Sequence, residues 1–108
     1  MVIPFLVPLI LGGIAGVVIT AIVRFLLLHW KEIIGWFNKW KNNHEEVDKD
    51  AVGFTLREAI KNGEYNIVQG VFNKSSNTVE DARRIEAEEL DNETKQQCWG
   101  KEKVTIFN

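Results

Sequence analysis

Residues 2–28 read VIPFLVPLILGGIAGVVITAIVRFLLL, an almost unbroken apolar run whose only charge is Arg24. A bilayer core of about 30 Å is crossed by about 20 apolar helical residues, and this run exceeds that length. The reading is therefore an N-terminal transmembrane helix over 2–28. Tilt absorbs the excess, and Arg24 snorkels toward the headgroups. Pro4 and Pro8 fall in the first turns, where a missing donor harms a helix least. A cleaved signal peptide fits less well, because no basic residue precedes the apolar run.

Charge sets the expected orientation. Arg24, Lys31, Lys39 and Lys41 follow the run against Glu32 alone. The positive-inside rule then makes this a single-pass membrane protein with its C-terminal domain in the cytoplasm. Within the run, Gly12, Gly16 and Thr20 recur every four residues, a small-residue ridge of the kind through which membrane helices self-associate.

Residues 29–43, HWKEIIGWFNKWKNN, carry Trp30, Ile33, Ile34, Phe37 and Trp40 at helical spacing, with Trp36 beside the stripe. This is an amphipathic helix continuing from the span into the membrane interface. Arg24, Trp30, Lys31, Trp36, Phe37, Lys39, Trp40 and Lys41 are its expected contacts with lipid. The competing reading packs the same stripe onto the rest of the chain. Residues 44–50 are charged and aperiodic, and read as a linker.

Residues 51–108 read as a small, mostly antiparallel β-rich α+β domain with one short helix. Residues 51–60 alternate as a strand would, yet Thr55 and Glu58 also form a capping box. Tyr65–Asn73 is the clearest strand, rich in β-branched and aromatic residues. Thr78–Ala87 follows as a more polar strand, with helix as its alternative. Asp91 caps a short helix over 92–99, stopped by Gly100, and residues 103–107 close the chain as a strand. The expected core is Phe54, Leu56, Ile67, Val68, Phe72, Ile85, Leu90, Trp99, Val104 and Ile106. The fold class expected for the whole chain is thus membrane-anchored α+β.

Chemistry is sparse. Cys98 is the single cysteine and neither histidine lies near it in sequence, so no nucleophile–base pair stands out. No catalytic, metal or cofactor residues are assigned, and the chain reads as a non-enzyme. A net charge of −2 gives no reason to expect nucleic acid as a partner. Lys74, Arg83 and Arg84 form the basic cluster most able to hold an anionic ligand. The function that fits is a membrane-anchored interaction or adaptor domain with a protein partner, self-associating through its span. The alternative is a ligand-responsive effector that assembles to perturb the bilayer. The expected partners are the lipid bilayer, a protein and other copies of this chain.

Overall fold

The computed structural model describes residues 5–100 and 102–108. Residues 2–4 of the expected span lie outside that range. In chain order come α1 (Leu6–Ala15), β1 (Ile22–Leu28), α2 (Trp30–Asn42), a single 3-10 turn (Asp48–Asp50), β2 (Ala51–Arg57), β3 (Tyr65–Asn73), β4 (Thr78–Leu90), α3 (Asn92–Cys98) and β5 (Val104–Phe107). The strands form one five-stranded mixed sheet in the order β1-β4-β3-β2-β5.

The membrane-anchored fold class is overturned. Among the described residues no helix is long and apolar enough to cross a membrane. The helix expected over 2–28 stops at Ala15, so α1 is ten residues long, about 15 Å, half of what a bilayer core requires. The physical reason lies in the composition of the run. Gly12, Gly13 and Gly16 weaken the helix, and Val17, Val18, Ile19, Thr20, Ile22 and Val23 are β-branched residues that favour extended backbone. The second half of the run becomes β1 and pairs parallel with β4, Ile22 opposite Arg84 and Leu28 opposite Leu90. With no spanning helix, single-pass membrane localisation is not supported, and the charge asymmetry has no span to orient.

The sheet is also larger than the antiparallel one expected. The β2–β3, β3–β4 and β2–β5 pairs are antiparallel, but β1 adds a parallel edge, and α1 and α2, expected at the membrane, pack on the sheet with the short helix α3. The connection between β1 and β4 passes through α2 and the β2–β3 hairpin, which supplies the crossover that parallel neighbours need. Asn62 and Gly63 both have positive φ, 54° and 76°, and turn the chain tightly between Lys61 and Glu64. Strand, not helix, wins over residues 51–57 because β2 is central: β3 and β5 satisfy its two edges. β4 runs to Leu90, three residues past its expected end, and Asp91 caps α3 as expected, Oδ1 accepting from the Thr94 amide at 2.8 Å.

The two faces of the sheet are covered differently. On one, α1 lays Leu6 and Ile10 over Val52, Phe54, Leu56, Val68, Phe72 and Val104. On the other, α2 and α3 pack onto Ile67, Val71, Ile85 and Ala87. Trp30, Ile33, Phe37 and Trp40 are buried there, so the aromatic stripe expected at a lipid boundary lies on the sheet instead. The Phe107 ring closes this layer, edge-on to both Trp30 and Phe37 at 5.3 Å. It passes over Gly53, where a side chain would collide with it.

Candidate functional site

The residues singled out for self-association do not form one ridge. Gly12 lies on the outer side of α1 with open space where a Cβ would be, Gly16 ends the helix, and Thr20 follows it in the connection to β1. The close approach is made by Gly13, whose Cβ would stand 2.9 Å from a Val79 methyl. Arg24 lies on β1 and reaches Glu86 at 2.8 Å and Glu64 at 3.2 Å. Lys31 and Lys39 are on the exposed side of α2, and Lys41 sits over the Phe37 ring.

The basic cluster is also separated. Arg83 and Arg84 are neighbours on β4, and successive strand residues face opposite sides of a sheet. Arg84 lies on the α1 side and pairs with Glu58 at 3.1 Å. Lys74 lies in the exposed β3–β4 turn. Arg83 lines a cavity on the α2 side.

That cavity is a cleft of about 250 Å³ between α2 and the start of β1, lined by Ala21, Ile22, Val23, Trp36, Asp81, Ala82 and Arg83. The guanidinium of Arg83 lies 5.2 Å over the Trp36 ring. Its Nε donates to Gln69 Oε1 at 3.0 Å, and Gln69 Nε2 donates to the Ile33 carbonyl at 2.6 Å. Gln69 is fully buried on the middle strand, so the arginine is fixed from below by a polar group that is itself satisfied at both ends. Burial lowers the Arg83 pKa, opposed by the charge of Glu32. Among the described residues no carboxylate lies within 4 Å of it. The sequence reading missed Gln69, although strand alternation sets it on one face with Ile67 and Val71; the role of Trp36 beside Arg83 had no sequence signal, because it depends on where α2 docks.

The second distinctive place is the outer edge of β1. Ile22, Leu26 and Leu27 are exposed on it, Leu26 at 75%, and Val18 just before it is 86% exposed. An apolar edge strand is ordinarily blunted by lysine, proline, a bulge or a covering element. β1 has only Arg24, turned to Glu64 and Glu86.

Catalytic chemistry finds no support at Cys98. Burial pushes its thiol up to about 12, against a smaller opposing pull from the Thr55 hydroxyl. Among the described residues no three histidine, cysteine or carboxylate side chains gather as a metal site would require. No protein-family model, curated protein or solved structure matches this chain.

Proposed function

We propose that this chain is a protein-interaction module that works as a homodimer, two copies joining antiparallel along β1 into one continuous sheet. The observation that carries the reading is the seven-residue β1 edge, free in the sheet order and lined by exposed Ile22, Leu26 and Leu27. A second copy is the occupant that the edge itself favours. A two-fold axis at Arg24 sets Ile22 of each copy opposite Leu26 of the other, so apolar side chains meet apolar side chains. The arginines at the axis are already neutralised, each by its own Glu64 and Glu86. The other edge, β5, is four residues long and offers little to pair with. Covering Leu26 and Ile22 removes apolar area worth about 1–2 kcal/mol for each largely exposed side chain.

Sedimentation velocity of the full chain tests this. The expected result is a monomer–dimer equilibrium that Leu26→Lys shifts to monomer, with unchanged circular dichroism. Amide exchange along β1 should be slow in the dimer and fast in the variant. A wild-type chain that stays monomeric at high concentration overturns the reading. So does a dimer that Leu26→Lys leaves intact. A β1 edge protected only when a different protein is added would assign the edge to a heterologous partner strand instead.

A further inference from the structure

Arg83 and Asp81 are two residues apart on β4 and line the same cleft. Two residues along a strand span about 6.6 Å, so they face the cleft side by side without touching. Among the described residues neither makes an ion pair within 4 Å. Asp81 Oδ1 accepts from the adjacent Ala82 amide at 2.8 Å, which leaves Oδ2 for an outside donor. The rest of the wall is apolar: Ala21, Ile22, Val23, Ala82 and the Trp36 indole. The cleft thus offers a fixed cation, an anion and a hydrophobic surface.

We propose that this cleft binds a small zwitterion, an α-amino acid with an apolar side chain. Its carboxylate takes the outward N–H groups of Arg83, a planar fork suited to bidentate recognition. Its ammonium donates to Asp81, and its side chain lies against Trp36 and the aliphatic wall. A simple anion fits less well, because Asp81 and the nearby Glu32 repel it. A simple cation meets Arg83. The volume of about 250 Å³ is below the roughly 300–1,000 Å³ of sites for drug-sized ligands and suits a molecule of this size. Gln69 acts as a positioning residue: it holds Arg83 Nε and so presents the other guanidinium nitrogens outward.

Isothermal titration of the full chain tests the proposal, with L-valine, L-leucine and L-phenylalanine as probes. Leucinamide, which lacks the carboxylate, and 4-methylpentanoate, which lacks the ammonium, are the controls. At least one amino acid is expected to bind, and removing either charged group should weaken binding at least about tenfold, as loss of a charge-assisted hydrogen bond does. Asp81→Asn and Arg83→Gln should each weaken it by a similar factor. Asp81 is exposed, so Asp81→Asn decides the matter even if Arg83→Gln fails to fold. Asp81→Asn, on β4 and away from the β1 edge, should leave the sedimentation behaviour of the wild type unchanged, which separates this site from the dimer edge. The proposal is overturned if none of the three amino acids binds at millimolar concentration. It is also overturned if 4-methylpentanoate binds as well as leucine, or if Asp81→Asn has no effect.

Discussion

The two faces of the sheet are closed in different ways. Under α2 and α3 the closure is aromatic and nearly complete: Phe37 and Ile33 are fully buried, and Phe107 fills the space above Gly53. Under α1 it is partial. Leu6 and Ile10 cover the apolar end, while the far end is a charged lattice of Arg24, Glu64, Glu86, Arg84 and Glu58. The helices explain the difference. α2 is amphipathic, so one sheet face satisfies its apolar stripe and its lysines face water. α1 contains no polar residue at all, so docking it on a sheet leaves Leu9 and Leu11 exposed. The α2 helix turns its apolar stripe inward, and the α1–β1 side leaves Leu9, Leu11, Ile22 and Leu26 exposed.

The most direct way to break this comparison is to truncate the aromatic layer. Phe37→Ala removes a fully buried ring that packs against Val71 and Phe107. It is expected to destabilise the fold by about 3–5 kcal/mol in urea denaturation. Leu26→Ala, on the open side, should change it by less than about 0.5 kcal/mol in the monomer. Equal losses at the two sites would mean that the faces are not energetically distinct.

Much of the α2 side was legible in the sequence. The 3.6-residue spacing of Trp30, Ile33, Phe37 and Trp40 marks the helix and its apolar stripe, and YNIVQGVFN marks the central strand. The partner of that stripe was not legible, since one apolar stripe suits a lipid surface and a sheet equally. The α1–β1 half was misread for a related reason. A run of apolar residues long enough to span a bilayer also suffices for a short helix and a buried-face strand. The glycines and β-branched residues of the run lean toward the second, and the edge of β4 that receives β1, a tertiary fact, completes it. Arg83 and Arg84 are a different case: the strand expected over 78–87 already sets adjacent residues on opposite faces, so grouping them into one cluster conflicted with that expectation.

Gly70 offers a sharper comparison, because it lies on β3 between the two layers. A Cβ there would stand 2.5 Å from the Phe54 ring and 2.8 Å from the Asp81 carbonyl. The ring can rotate but the backbone cannot yield freely. Gly70→Ala is expected to destabilise by about 1–3 kcal/mol through overpacking. The same substitution at Gly12, with open space around it, should be neutral or slightly stabilising, as alanine is in a helix. Thermal melts of the two variants check the contrast.

Cys98 reports on the sealed side by its pH dependence. Its thiol is pushed up to about 12 by burial, whereas an unfolded cysteine titrates near 8.5. The folded state therefore holds its proton where the unfolded state has lost it. This contribution to stability is complete below about pH 8.5 and falls as pH rises toward 12, by up to about 1.4 kcal/mol per pH unit. Cys98→Ser shortens that alkaline limb, read from urea midpoints between pH 8 and 11. The native thiol should also resist alkylation at pH 8 and react on unfolding. Rapid labelling of the folded chain would show that α3 does not seal the layer.

The smallest effect belongs to the charged lattice. Arg84 holds Glu58 by two contacts, Nε to Oε1 at 3.1 Å and Nη2 to Oε2 at 3.4 Å, and both side chains are about one-third exposed. Two-pronged geometry favours the pair, but solvent screens it, and exposed pairs of this kind are worth about 0.2–1 kcal/mol. Glu58→Gln keeps the shape and a hydrogen-bonding oxygen while removing the charge. Its expected loss is about 0.5 kcal/mol at low salt, shrinking further at 1 M salt, where the Debye length is about 3 Å. Urea midpoints at the two salt concentrations measure it. A loss above about 2 kcal/mol, insensitive to salt, would mean that this end of the sheet is closed off from water, and the contrast between the two faces would fail.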